Sequence, residues 1–167
     1  RIKPDYAEAH CNLGVAYGKL GRYQDAIEVC KQAIRIKPGD TGAHYNLGIA
    51  YGKLGRYQEA IEAYQQAIRI KPDDAEAHYT LGFAYDKLGR YQEAIEAYKQ
   101  AIRINPDYAD AHYNLGVAYG ELGRYQEAIA AFKQAVRIKP DDVKARNNLG
   151  NAYGSLGRHQ DAAESYK

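Results

Sequence analysis

His44-Tyr45-Asn46-Leu47-Gly48 returns as His78-Tyr79-Thr80-Leu81-Gly82 and again as His112-Tyr113-Asn114-Leu115-Gly116, each copy 34 residues after the last. Five prolines, Pro4, Pro38, Pro72, Pro106 and Pro140, keep the same interval. Tandem copying at a fixed period of this length marks an array in which each unit buries its apolar face against its neighbours. Fixing one residue's backbone costs roughly 1–2 kcal/mol, so a single pair of short helices is not expected to fold alone. The period divides the chain into repeats 7–40, 41–74, 75–108 and 109–142 and a partial repeat 143–167. Residues 1–6 read as the end of a preceding repeat, and 1–167 as one array.

Within Thr41 to Asp74, the residues His44, Leu47, Gly48, Tyr51 and Leu54 share one helical face. Gly55 supplies a left-handed stop. A second stripe, Ala60, Ile61, Tyr64, Ala67 and Ile68, is opposed by Glu59, Glu62, Gln65 and Arg69, the pattern of an amphipathic second helix. Pro72 ends it, because the ring cannot continue the hydrogen-bond ladder. Asp73 is then expected to cap the next helix with Glu76 completing a capping box, and Asp107 with Asp110 to repeat the arrangement. Small residues, Gly48, Ala50, Ala60 and Ala67, stand where the two helices should cross, with Tyr51 and Tyr64 filling the space around them.

Composition removes several function classes. The 23 basic and 21 acidic residues give a net charge of +2, too balanced for the basic footprint of a nucleic-acid binder. No apolar run approaches the roughly 20 residues needed to cross a bilayer, and no signal-like segment opens the chain. The expectation is a soluble, cytoplasmic protein with no membrane or nucleic-acid partner, and a fragment of a longer chain. Cys11 and Cys30 fall in different columns of the repeat and read as free thiols. The in-register histidines His10, His44, His78 and His112 are a helix-pair width apart, too far to share a metal ion with its ~2 Å bonds. Serines and threonines are few, Ser155 and Ser165, Thr41 and Thr80, with no nucleophile–base pair among them. No cofactor, metal or catalytic residue is expected.

The 34-residue period, Leu47-Gly48 with Tyr51, Ala60, Tyr64, Ala67 and the closing Pro72 together resemble the tetratricopeptide repeat, over essentially the whole chain. One regular departure is the column His10, His44, His78, His112 and then Arg146, where that family often has tryptophan. The resemblance implies an all-α, right-handed superhelical solenoid of antiparallel helix pairs. Its first helices would line a concave groove, and its usual work would be holding a peptide or partner segment without chemistry of its own.

First-helix residues beyond the packing stripe would form the groove wall. Tyr45 and Ile49 recur as Cys11 and Val15, Tyr79 and Phe83, Tyr113 and Val117. Their competing role is packing on the next first helix. Asn12, Asn46, Asn114 and Asn148 form a second column, interrupted by Thr80. An amide both donates and accepts, so such a ladder can pair with the main chain of an extended peptide; protein glycosyltransferases with similar repeats hold peptide backbone this way. Bonding to the adjacent helix is its structural alternative. Gly18, Gly52, Gly120 and Gly154 stand one turn on, with Asp86 the exception, and either keep the groove open or merely loosen helix ends. Lys19, Lys53 and Lys87 make a short basic column that reads first as a solvated edge and second as an attraction for an acidic segment. A carboxylate clamp of the chaperone-binding type fails: its last frame, Tyr79, Phe83, Asn114, Lys144 and Asn148, keeps only Asn114 and Lys144.

The sequence therefore predicts a non-enzymatic protein-interaction scaffold binding an extended peptide through Asn12, Asn46, Asn114 and Asn148. Tyr45, Tyr79, Tyr113, Ile49, Phe83 and Val117 would be its apolar contacts, with Lys19, Lys53 and Lys87 at the edge. The alternatives are a substrate-recruiting region of a larger enzyme, such as a protein glycosyltransferase, and a module that self-associates end to end.

Overall fold

A computed structural model describes residues 5–167, so Arg1 to Pro4 and the repeat end expected there lie outside the described residues. The described residues form ten helices and no strand. They are α1 (Asp5–Lys19), α2 (Tyr23–Ile36), α3 (Thr41–Lys53), α4 (Tyr57–Ile70), α5 (Ala75–Lys87), α6 (Tyr91–Ile104), α7 (Ala109–Glu121), α8 (Tyr125–Ile138), α9 (Val143–Ser155) and α10 (His159–Ser165). Two compact units divide them, one ending at Leu88 and the other spanning Gly89–Lys167. In the first, α1 packs on α2, α2 on α3, α3 on α4 and α4 on α5; in the second, α6 packs on α7, α7 on α8, α8 on α9 and α9 on α10.

Each first helix ends where the period demands. Gly55 has φ +73°, a conformation that only glycine adopts without cost. Its amide donates to the Gly52 carbonyl at 3.1 Å and that of Arg56 to the Tyr51 carbonyl at 2.9 Å, the paired bonds of a left-handed stop. Gly21, Gly123 and Gly157 carry the same bonds at φ +72°, +70° and +72°.

The helix starts differ from the sequence expectation by one residue. Asp74, not Asp73, caps α5, its carboxylate accepting from the amides of Glu76 at 3.1 Å and Ala77 at 3.2 Å. Asp40 and Asp142 do the same for α3 and α9. Pro72 and Asp73 are consumed in reversing the chain, so the first free amides come within reach of the next residue. No capping box forms around Asp107 either: α7 begins after Tyr108, which makes no side-chain cap, and the Asp107 amide donates to Asn105 Oδ1 at 3.3 Å. Asp74→Ala should cost about 0.5–2 kcal/mol and Asp73→Ala no more than about 0.5 kcal/mol. Urea denaturation of the two variants checks this, and equal losses would reject the assignment.

First and second helices share the core, α3 burying Leu47, Ala50 and Tyr51 and α7 burying Leu115, Ala118 and Tyr119. Ala60, Ile61, Ala63, Tyr64 and Ala67 of α4 are buried, as are Ala128, Ile129, Ala131, Phe132 and Ala135 of α8. The expected small residues of the crossing, Gly48 and Ala50 with Ala60 and Ala67, are all buried. Gly48 is there for the tyrosine: a Cβ on it would fall 2.5 Å from the Tyr64 ring. Gly116 seats Phe132 in the same way at 2.6 Å.

Polar groups tie neighbouring repeats together. Tyr51 has the Arg56 guanidinium 4.6 Å from its ring centroid and, from the preceding repeat, Lys31 Nζ at 6.0 Å. Tyr119 sits between Arg124 and Lys99, and Tyr153 between Arg158 and Lys133. The lysine contacts bridge consecutive hairpins, and the arginine contacts lie within one hairpin. Gln65 takes the lysine's place by donating to the Tyr85 hydroxyl at 2.9 Å. The histidine column has a packing role. His44, His78 and His112 place Nε2 2.9 Å from the carbonyls of Pro38, Pro72 and Pro106. A carbonyl only accepts, so Nε2 carries the proton. Arg146 donates to the Pro140 carbonyl at 2.8 Å, which explains how arginine substitutes in that column.

Candidate functional site: clefts between first helices

Within each unit, neighbouring first helices leave a cleft floored by the same repeat columns. Val15 and Gly18 of α1, with Tyr23 of α2, face Asn46, Ile49 and Lys53 of α3 across about 210 Å³. Further along the first unit, Ile49 and Gly52 of α3, with Tyr57 of α4, face Thr80 and Phe83 of α5 across about 200 Å³. In the second unit, Val117 and Gly120 of α7, with Tyr125 of α8, face Asn148, Asn151 and Ser155 of α9 across about 170 Å³.

The clefts are open because of the second glycine column. A Cβ on Gly18, Gly120 or Gly154 would meet nothing within 4 Å, and one on Gly52 only the Tyr64 hydroxyl at 3.9 Å. Internal packing therefore does not require glycine at these positions, although each costs its helix roughly 0.5–1 kcal/mol relative to alanine. Val15 and Phe83 remain 39% and 41% exposed on the cleft walls, whereas Ile49 and Val117 are half-buried.

The asparagine column has a mixed role. Asn46 Nδ2 lies 3.4 Å from Cys11 Sγ, and Asn148 Nδ2 donates to the Tyr113 hydroxyl at 2.9 Å, each reaching back to the preceding first helix. That spends one N–H and leaves the other N–H and the carbonyl oxygen. Thr80 turns inward and donates to the carbonyls of Glu76 and Ala77. Asn12 is exposed and Asn114 half-buried.

The tyrosines of the same wall are half-buried, which is the packing alternative in part. Tyr45 lies against Tyr64 at 5.7 Å between centroids, and Tyr113 against Phe132 at 5.9 Å. Burial, with Glu76 next in effect, pushes the Tyr45 hydroxyl above its ordinary range, and burial does the same for Tyr113. Cys11 and Cys30 replace this ring pair in the first repeat. Both are free thiols, and burial pushes Cys30 up to about 12. Among the described residues no group of three or more His, Cys, Asp or Glu could hold a metal ion.

Lys19, Lys53 and Lys87 are all exposed, Lys87 resting 4.9 Å from the centroid of the Phe83 ring. Sequence reasoning missed Tyr23, Tyr57 and Tyr125, Asn151 and Ser155 as cleft-lining residues. The tyrosines do recur every 34 residues, but they open the second helices, and only the packing turns them toward the first-helix face. A wider hollow of about 500 Å³ between α2 and α4 is lined by Lys31, Arg35, Glu59 and Glu62 beside Tyr51. Charges of both signs mark it as a solvated crease.

The family model of the cilia and flagella-associated protein 70 C-terminal domain, a tetratricopeptide-repeat model, matches residues 3–167. The chain belongs to this tetratricopeptide-repeat family. No curated protein sequence matches it. Among solved structures it is similar to a crystal structure of MamA, with 31% identity and a TM-score of 0.89 over 92% of this chain and 90% of that one. A second MamA crystal structure gives 29% identity and a TM-score of 0.93 over 98% and 90%. MamA 41-end from Desulfovibrio magneticus RS-1 gives 27% and 0.90 over 97% and 92%. The chain is thus an all-α tetratricopeptide-repeat solenoid of antiparallel helix pairs. Among its described residues no helix is long and apolar enough to cross a membrane.

Proposed function

We propose that this tetratricopeptide-repeat chain is a protein-interaction scaffold, without chemistry of its own, whose first-helix clefts hold an extended peptide. The observation that carries this reading is the second glycine column. Gly18, Gly52 and Gly120 leave open floors that the fold does not use, at a cost to each helix that close approach of a ligand backbone would offset. Asn46 and Asn148 retain a carbonyl and one N–H each for that backbone, and Asn12 and Asn114 stand in the same column. Tyr45, Tyr79 and Tyr113 with Ile49, Phe83 and Val117 supply apolar contact at low entropic cost. A main chain held by amides is recognised whatever its side chains, so selectivity falls to the clefts.

A peptide-library screen on the chain, repeated with Asn46→Ala and Asn148→Ala together, tests the amides. The double variant should stay folded and bind the selected peptides about tenfold more weakly, the loss of about two net hydrogen bonds. Undiminished binding by a folded double variant would show that the two amides serve only the neighbouring helix.

A further inference from the structure

We infer that the clefts of the first unit select an acidic, aliphatic segment, an inference that rests on the peptide-binding reading above and names its ligand. Several lysines elsewhere on the molecule are engaged. Lys37, Lys71, Lys99 and Lys139 lie within 3.9, 3.7, 3.3 and 2.9 Å of carboxylates, and Lys31 and Lys133 rest over the rings of Tyr51 and Tyr153. Lys19 and Lys53 are different. Both line the cleft between α1 and α3, Lys53 also lines the cleft between α3 and α5, and neither has an ion-pair or ring partner among the described residues.

No carboxylate lines either of these clefts; Asn46 and Thr80 are their polar neighbours, and the walls are Val15, Ile49 and Phe83. Two uncompensated ammonium groups beside two adjoining apolar hollows complement a strand in which carboxylates alternate with aliphatic side chains. Alternate residues of an extended chain point to opposite sides, so one set enters the hollows while the other reaches the lysines. The second unit is unlike this: the cleft between α7 and α9 carries Glu121 and Ser155 in the lysine column. Selectivity for acid belongs to the first unit alone.

The test uses the whole chain and fluorescence anisotropy with three short labelled peptides in which leucine alternates with aspartate, asparagine or lysine. The aspartate peptide should bind about five- to tenfold more tightly than the asparagine one at low salt, as two partly screened ion pairs allow. Raising salt to about 0.5 M should close the gap. Lys19→Gln with Lys53→Gln should abolish the preference while leaving asparagine-peptide affinity within about twofold, and Lys133→Gln should preserve it. Equal affinity for the aspartate and asparagine peptides, or a preference that survives the double variant, overturns the inference and leaves the groove function standing. A thymidine oligonucleotide that outcompetes the aspartate peptide through the same lysines also overturns it. Failure of every peptide to bind removes both readings together.

Discussion

Phe132→Ala should lower the stability of the chain by about 3–5 kcal/mol, the range for removing a buried aromatic ring. The ring is only 4% exposed, lies over Gly116 and packs 5.9 Å from Tyr113. Nothing on Gly116 can move into the vacated volume, so the cavity remains open. The converse change, Gly116→Ala, should cost about 1–3 kcal/mol by overpacking, because its new methyl would stand 2.6 Å from the ring. Introduced together, the two should cost less than their sum. The methyl then enters the cavity, and the helix gains the propensity of alanine. Guanidinium unfolding of the wild type, both single variants and the double variant measures that coupling. A loss below about 1 kcal/mol for Phe132→Ala would mean the ring is not the keystone of the hairpin.

Gly18→Leu with Gly52→Leu should have effects of opposite sign on stability and binding. Neither glycine meets a packing obstacle at Cβ within 3.4 Å, and both stand in helices. Exchange for a good helix former should therefore raise stability by about 0.5–1 kcal/mol per site. The new side chains would enter the clefts of about 210 and 200 Å³ and keep a ligand main chain away from the wall. Affinity for the peptides selected by the wild type should fall at least about tenfold. Thermal unfolding and peptide titration on one preparation read both effects. A variant that is more stable and binds as before would show that these floors are not where the peptide lies, whereas a destabilised variant would mean the glycines serve the fold.

Much of the architecture was legible because a repeated unit restates its local rules. The left-handed stop at Gly55 and its counterparts, the amphipathic stripe of Ala60, Ile61, Tyr64 and Ala67, and the burial of Tyr51 follow from backbone sterics and helical spacing. Both act over a few residues. The cap was misplaced by one residue because Asp73 and Asp74 have the same chemistry. What separates them is how much chain the turn after Pro72 consumes.

Side-chain direction across repeats was not legible. Asn46 and Asn148 could face a ligand or the adjacent helix as far as spacing goes, and each spends one N–H on the preceding first helix, a choice made by a residue 35 positions away. Tyr57 lines a cleft although it begins a second helix.

The sequence by itself determined the period, the helical hairpins, their glycine stops and the apolar columns that bury, since these depend on contacts within one turn or one repeat. The sequence set Gly48 at the helix crossing and left two roles open for Gly52; only the tertiary structure showed what each one faces. Both are glycines on α3, but Gly48 is required by the Tyr64 ring pressed against it, while Gly52 opens onto a cleft. Their different roles come from the side chains that neighbouring helices bring up to each, and proximity in space decides that where local propensity is silent.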